Sequence, residues 1–289
     1  MSLLTLSDGR ALELEVTGPE GGPVLLFHHG TPGASAQLDR MARVVHDRGH
    51  RLVTWSRAGY GASSRRAGRD VASEASDAAA LLDHLGVRSC VVAGWSGGGP
   101  HALACGALLA DRVRAVLCIA GVAPFRTDGL AFLAGMGEEN VEEFGAAVAG
   151  EHTLRDYLDE QRDGMREITG AEIREQMATL LPPVDVAELA GDFGDSLAEE
   201  FRQAVSQGVD GWLDDDLAFV RPWGFELADV AVPTYLWQGS DDLMVPFAHG
   251  EWLAERIPGV TAHLEHGEGH LSIALGAMER MFDELLGHS

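Results

Sequence analysis

A serine flanked by glycines stands at residues 94–98, where the sequence reads Gly-Trp-Ser-Gly-Gly and fits G-x-S-x-G around Ser96. A short apolar run precedes it and an alanine-rich stretch follows, so the serine is predicted on a sharp turn from strand to helix. Small neighbours let the backbone segments approach, and the helix N-terminus offers free N–H groups to an anion. An ordinary glycine-rich turn is the alternative. The flanking elements favour a serine nucleophile that attacks a carbonyl carbon.

A histidine late in the chain could supply the base that such a serine needs. His270 follows the last predicted strand, and imidazole has the pKa for proton transfer near neutral pH. His263 and His266 compete with it locally. With Glu265 and Glu268 these histidines could also suggest a metal site, but no helical face aligns them and no H-E-x-x-H motif is present. We therefore expect His270 as the base and no metal.

A pair of aspartates follows an earlier predicted strand, within the sequence Gly-Ser-Asp-Asp-Leu-Met-Val-Pro at residues 239–246. Either Asp241 or Asp242 could orient the imidazole and stabilise its charged form. The order Ser96, Asp242, His270 along the chain is the order expected for a nucleophile on a strand-to-helix turn of an α/β sheet.

A second glycine-containing loop, His-Gly-Thr-Pro-Gly at residues 29–33, follows a buried strand. An oxyanion hole needs two converging N–H donors. Gly97, next to the nucleophile, would supply one, and the backbone of Thr31 the other. His29 could instead be a catalytic base, but we expect it to brace the loop, and His28 to be a strand residue.

The elements that must position these residues alternate in the first half and again at the end of the chain. Short apolar runs predict strands at 11–16, 24–28, 52–55, 90–93, 113–120, 233–237 and 261–265. Helical spacing predicts helices at 37–48, 73–85, 96–109, 247–257 and 271–286. This βαβ rhythm predicts an α/β fold with a doubly wound, mainly parallel sheet.

The alternation stops between residues 123 and 228, which hold 24 acidic residues and seven basic ones. Helical stretches predicted there are 141–148, 154–168, 171–180 and 197–206, and Pro182 with Pro183 breaks the run. The simplest organisation is a core domain of residues 1–122 and 229–289 with a helical domain, 123–228, inserted into it.

Specificity should depend on the inserted segment and on the residue beside the nucleophile. The aromatic and apolar side chains that could line a substrate pocket are Trp95, Phe125, Phe132, Met136, Trp212, Phe219 and Trp223. Packing of the inserted helices onto the sheet is the competing explanation for most of them.

Composition limits the classes of partner. The chain has 289 residues, a formal net charge of −24, and arginine at all 21 basic positions. Such a chain repels nucleic acid and anionic membrane surfaces. There is no signal peptide pattern and no apolar run of the roughly 18 residues that a membrane helix needs. With three cysteines in apolar segments, we expect reduced thiols, a cytoplasmic location, and a monomer or homodimer without cofactors.

Taken together, these segments resemble the α/β-hydrolase superfamily across roughly residues 10–122 and 229–286. The matching motifs, in chain order, are HGTPG at 29–33, SRAGYGASS at 56–64, GWSGGGP at 94–100, GSDDLMVP at 239–246 and GEGH at 267–270. The family pattern G-x-x-D-x-x-V-P places the catalytic acid at Asp242 rather than Asp241. The resemblance also implies that 123–228 form a cap over the active site, and that Ser96 is acylated and then released by water.

Several residues differ from those of related enzyme groups, and these differences limit the types of reaction to expect. Ser96 stands where haloalkane dehalogenases and epoxide hydrolases of this fold have an aspartate nucleophile. Prolyl iminopeptidases usually have a second glycine in place of Thr31 and a G-G-S-W-G nucleophile motif. The resemblance implies a serine hydrolase acting on a carboxylic ester or other small acyl substrate. Amidase or aminopeptidase activity, carbon–carbon bond hydrolysis, and a non-catalytic ligand-binding role are the alternatives.

Overall fold

The computed structural model describes residues 1–189 and 192–289. The described residues contain eight strands, which form one sheet. They are β1 (Ser2–Thr5), β2 (Ala11–Thr17), β3 (Val24–His28), β4 (Arg51–Trp55), β5 (Cys90–Trp95), β6 (Val113–Ile119), β7 (Thr234–Gly239) and β8 (Thr261–Glu265).

Twelve α-helices are found in the same described ranges. Six belong to the alternating parts of the chain: α1 (Asp39–Asp47), α2 (Ser73–His84), α3 (Gly98–Leu108), α10 (Phe247–Arg256), α11 (His270–Gly276) and α12 (Met278–Leu286). The other six follow one another between β6 and β7: α4 (Glu138–Ala149), α5 (Glu151–Met165), α6 (Gly170–Gln176), α7 (Pro183–Glu188), α8 (Asp192–Ala204) and α9 (Asp210–Phe219).

The sheet has the strand order β1-β2-β4-β3-β5-β6-β7-β8. β2 pairs antiparallel with β1 and β4, and the remaining neighbours pair parallel. β3 and β5 are buried along their whole length, as strands covered on both faces must be. The predicted fold class, a doubly wound and mainly parallel α/β sheet, is confirmed.

Alternate side chains of the central strands enter two hydrophobic cores, one on each face of the sheet. On β3, Leu25 and Phe27 pack with apolar side chains of α1, α11 and α12. Val24 and Leu26 point the other way and pack with α2, α3 and α10. This two-residue period fixes the register, because a slip by one residue would exchange the two faces.

The parallel arrangement brings four chain segments to one edge of the sheet. The loop 29–33 follows β3, Ser96 follows β5, Asp242 follows β7, and His270 begins the helix after β8. Since the carboxyl ends of parallel strands share an edge, residues far apart in sequence meet there.

Several elements differ from the sequence prediction. β1, α7 and α9 were not predicted, and the closing helix is two helices separated by Ala277. Pro183, expected to break the chain, is the first residue of α7, a position at which proline costs no helical hydrogen bond. α9 contains three consecutive aspartates, which favour exposed loops in a sequence, yet all nine residues from Gly211 to Phe219 are buried.

The three cysteines, Cys90, Cys105 and Cys118, are buried, and the described residues contain no disulfide. Burial raises the pKa of the Cys90 and Cys118 thiols to about 12. No helix in the described ranges is both long and apolar enough to cross a bilayer.

Candidate active site

Ser96 occupies the turn between β5 and α3 with a φ of +56°. This left-handed conformation is unfavourable for a side chain and is held by the packed glycines on either side. A Cβ atom on Gly98 would lie 2.6 Å from the carbonyl oxygen of His29, so that position has no room for a larger residue. The Ser96 amide donates to the carbonyl of Ile119, 2.9 Å away on the neighbouring strand. The turn thus presents the hydroxyl beyond the sheet edge.

Asp242 and His270 form a buried hydrogen-bonded pair. Asp242 Oδ2 and His270 Nδ1 are 2.7 Å apart. The other carboxylate oxygen accepts the amides of Met244 and Val245, both at 2.8 Å, which fixes the carboxylate. Asp241 is exposed, and within the described chain its carboxylate accepts a hydrogen bond only from the hydroxyl of the adjacent Ser240. Of the two aspartates, the structure brings Asp242 to the histidine.

The electrostatics of His270 suit a base. Burial lowers the pKa of its imidazole, but the Asp242 carboxylate outweighs that effect, and the pKa is raised overall. Because Nδ1 is bonded to Asp242, Nε2 is the nitrogen free to accept a proton. The Trp95 ring stacks on the imidazole with a centroid separation of 5.5 Å.

Ser96 and His270 line the same cavity, of about 140 Å³. No hydrogen bond joins the Ser96 hydroxyl to the imidazole among the described residues.

Gly97 and Thr31, the two predicted oxyanion donors, lie against each other. A Cβ atom on Gly97 would lie 2.8 Å from the Thr31 Cβ, so only glycine allows this approach. Both residues line the cavity beside Ser96. Within the described chain, neither backbone N–H donates to a protein carbonyl, which leaves both available to an anion.

A buried ionic cluster holds the loop that carries Thr31. Arg57 donates to the carbonyls of His29 at 2.6 Å and Gly30 at 2.8 Å. Its charge is balanced by Asp215 of α9, at 2.6 Å. Asp215 also accepts the Thr31 hydroxyl at 2.8 Å. The inserted helices are therefore hydrogen-bonded directly to the predicted oxyanion loop.

The other histidines considered as bases do not reach the cavity. His29 is buried, with Nδ1 2.7 Å from the Gly30 carbonyl oxygen and Nε2 accepting the Arg57 amide. Burial lowers its pKa far below the ordinary value, which suits bracing rather than proton transfer. His263 stacks on Trp237 at 3.9 Å between ring centroids. In the described ranges, no three His, Cys, Asp or Glu side chains are grouped as a metal site would need.

Asp185 of α7 is a residue that sequence reasoning missed. Its carboxylate is fully buried and accepts the amides of His270 at 2.7 Å, Leu271 at 3.0 Å and Ser272 at 2.9 Å. A carboxylate at a helix N-terminus satisfies free amides and interacts favourably with the helix dipole. The inserted segment thereby fixes the first turn of the helix that begins with the candidate base.

The predicted pocket residues divide into two groups. Trp95, Trp212 and Phe219 line the cavity. Phe125, Phe132, Met136 and Trp223 are not among its lining residues. Phe132, Met136 and Trp223 belong instead to a hydrophobic cluster between the inserted segment and the sheet domain's helices, and Phe125 packs against that cluster. Their apolar surfaces are buried against one another, as in the edge-to-face contact of Phe125 with Phe132. Packing, the competing explanation, describes these four.

The chain belongs to the α/β-hydrolase fold family, whose model matches residues 23–277. It is 28% identical over 252 residues to a non-heme haloperoxidase of Rhodococcus erythropolis, which covers 86% of this chain and 85% of the relative. It is 31% identical over 215 residues to a putative carbamate hydrolase of Azorhizobium caulinodans, and the match covers 72% of this chain and 70% of the relative.

Solved structures show the same fold over the whole chain. A hydrolase from Pseudomonas aeruginosa PA01 superposes with a TM-score of 0.71 at 23% identity, covering 99% of this chain and 98% of that one. The predicted resemblance to the superfamily is confirmed.

Proposed function

We propose that the chain is a serine hydrolase that cleaves a carboxylic ester or related small acyl substrate through an acyl-enzyme intermediate. The observation that carries the proposal is the buried pair of Asp242 and His270, 2.7 Å apart, in one cavity with Ser96 on its strained turn. Membership of the α/β-hydrolase fold family supports the broader class, a hydrolase.

In the acylation step, His270 Nε2 accepts the Ser96 proton as the serine oxygen attacks the carbonyl carbon. Asp242 stabilises the imidazolium that results. Negative charge develops on the carbonyl oxygen, where the N–H groups of Thr31 and Gly97 can receive it. The tetrahedral intermediate then expels the alcohol, which takes the proton from His270 and leaves an ester on Ser96.

Deacylation repeats the same steps with water as the nucleophile. His270 accepts a proton from water, the hydroxide adds to the acyl carbon, and the serine oxygen leaves with the proton returned. Every proton is supplied by serine, water or imidazole, so the proposed cycle needs no cofactor. We propose that residues 123–228 act as a cap, since Trp212 and Phe219 of that segment line the cavity together with Ser96.

The proposal is tested by labelling with a fluorophosphonate and by hydrolysis of p-nitrophenyl acetate. Ser96→Ala should abolish labelling and lower kcat/KM by about 10⁴-fold or more, as loss of a nucleophile does in triad enzymes. Ser206→Ala changes an exposed serine of the inserted segment and should leave both unchanged. Mass spectrometry should locate the label on Ser96.

Full activity in Ser96→Ala would overturn the mechanism. An intact protein that neither labels nor turns over any substrate would support a ligand-binding role instead. A series of p-nitrophenyl esters of increasing chain length, with aminoacyl and diketone substrates in parallel, would separate ester, amide and carbon–carbon bond hydrolysis.

A further inference from the structure

Three consecutive aspartates of α9 have three different surroundings, although all three are buried. Asp214 is paired with Arg65 at 2.9 Å, and Asp215 with Arg57 at 2.6 Å. Asp216 lines the cavity that contains Ser96. It is 1% exposed, and neither of its carboxyl oxygens has a hydrogen-bond partner within the described chain. The aspartate without a cation is the one that faces the substrate space.

The neighbour of the Asp216 carboxyl is another carboxyl group, that of Glu143 on α4. Glu143 Oε1 accepts the Trp212 indole N–H at 2.8 Å, which holds this side chain in place. Burial and the facing Glu143 raise the pKa of Asp216 well above its ordinary range. Two facing carboxyl groups can share one proton, but they still hold more acceptor oxygens than donors. Buried acceptors without donors are costly, so a role in binding would explain this pair.

The pair lies within reach of the proposed chemistry. Trp212, Asp216 and Phe219 are spaced four and three residues apart, so they share one face of α9, and all three line the cavity. The Phe219 ring approaches Gly97, where a Cβ atom would lie 3.1 Å from Phe219 Cζ. One helical turn therefore separates Asp216 from Phe219, whose ring lies against the residue next to Ser96. A single small molecule can contact both.

The wall of the cavity is acidic. Besides the pair, Glu139 contributes a carboxyl group to it, and no arginine is among the lining residues that the structure describes. With no arginine in the wall to balance them, such groups favour a bound cation and disfavour a bound anion.

We propose that Asp216 and Glu143 bind a protonated amine of the substrate while its carbonyl carbon reaches Ser96. An ammonium group brings three N–H donors and a positive charge, which are the two things that this pair lacks. The inference rests on the proposed serine hydrolase function and narrows its substrate class to amine-bearing acyl compounds. Asp216 and Glu143 then determine specificity and take no part in proton transfer.

The test is calorimetric binding to full-length Ser96→Ala protein, in which turnover cannot interfere. Three probes of matched length are titrated at pH 7: n-hexylammonium, 1-hexanol and hexanoate. We expect the ammonium to bind at least about tenfold more tightly than the alcohol, as charge-assisted hydrogen bonds allow, and hexanoate to bind most weakly.

A second substitution, added to the Ser96→Ala protein, shows which residues cause the preference for the ammonium probe. Asp216→Asn and Glu143→Gln should each lower ammonium affinity about tenfold while leaving 1-hexanol affinity unchanged. Glu142→Gln is the matched control, since it removes the same charge from an exposed neighbour on α4 and should change neither affinity. Circular dichroism checks that each variant is folded, and either pair variant alone suffices for the comparison.

Equal affinity for ammonium and alcohol would overturn the proposal, and so would a preference that survives both pair substitutions. The two proposals fail separately. An amine preference without fluorophosphonate labelling would overturn only the serine mechanism, and labelling of Ser96 without an amine preference would overturn only the amine site.

Discussion

His270 is held by two carboxylates that reach it from different parts of the chain. Asp242, after β7, bonds the imidazole ring at 2.7 Å. Asp185, from α7 of the inserted segment, accepts the backbone amide at 2.7 Å and does not touch the ring. Both negative charges raise the pKa of His270 against the lowering caused by burial. In the proposed mechanism, Asp185 is therefore a positioning residue that also acts on His270 through its charge.

Asp185→Asn should shift the acidic limb of the kcat/KM profile to lower pH. Removing a negative charge lowers the His270 pKa, so the neutral base persists into more acidic solution. The profile is measured with p-nitrophenyl acetate from pH 5 to 8. Asp185→Ala should in addition cost about 1–2 kcal/mol of unfolding free energy, because it leaves three amides of the α11 N-terminus without an acceptor.

Asp241→Asn serves as the control, because it removes the carboxylate of an exposed aspartate next to Asp242. A limb that moves equally in both variants would show a general charge effect and no special role for Asp185. If the acidic limb of the kcat/KM profile stays in place while the protein is less stable, Asp185 has a purely structural role.

Ser96 and His270 of the proposed site could be singled out from the sequence because short motifs and chain position mark them. It could not predict Asp185, whose partners lie 85 to 87 residues further along the chain. Its position after two prolines suggested a break in structure. Asp216 was hidden in the same way, because three aspartates in a row are typical of a solvated turn until their arginine partners are known.

At the scale of elements, α9 connects the inserted segment to the proposed oxyanion loop, residues 29–33, through Asp215. This carboxylate lies between two fully buried guanidinium groups, those of Arg57 and Arg69, each 2.6 Å away. Arg57 holds the loop carbonyls, so the position of Thr31 depends on a side chain from the inserted segment.

Asp215→Asn should destabilise the protein by about 3–5 kcal/mol, the cost of leaving buried charges without a counterion. Asp214→Asn, one residue earlier, should cost about 1 kcal/mol or less because its partner Arg65 is partly exposed. Urea denaturation of the two variants gives the comparison. Equal losses would mean that the buried cluster contributes nothing beyond an ordinary ion pair.

The elements of the sheet could be predicted closely because buried parallel strands appear as short apolar runs. β3 and β8 have the predicted bounds. The inserted helices were predicted less closely, since burial of the acidic helix α9 depends on the distant arginines Arg57, Arg65 and Arg69. The difference has a physical cause. A buried strand is recognisable from its own apolar residues, whereas a buried charged residue is recognisable only when its distant partner is known.

For the whole molecule, a net charge of −24 coexists with carboxyl groups buried inside the fold. Burial raises the pKa of Glu200, on α8 beside the cavity, to about 8. Buried histidines show the opposite shift, since burial lowers the pKa of His28, His29 and His101. Above pH 7 those histidines are neutral in the folded and unfolded states alike and contribute no slope to stability.

The stability of the protein should therefore fall as pH rises from 7 to 8. In this window Glu200 binds a proton in the folded state, with its pKa of about 8, and none in the unfolded state, where an ordinary glutamate ionises near 4.5. Its contribution is complete below the unfolded pKa and is lost as pH rises through the folded one.

Glu200→Gln should flatten this fall, because glutamine has no proton to release. One proton difference corresponds to a slope of about 1.4 kcal/mol per pH unit, which sets the largest change the substitution can cause. Urea denaturation at pH 6, 7, 8 and 9 measures the slope. Glu199→Gln, on the exposed side of the same helix, should keep the wild-type slope. If both Glu200→Gln and Glu199→Gln keep the wild-type slope, the proton released on unfolding comes from another group whose pKa the fold raises, such as Asp216 or His270, and Glu200 is ionised in the folded protein.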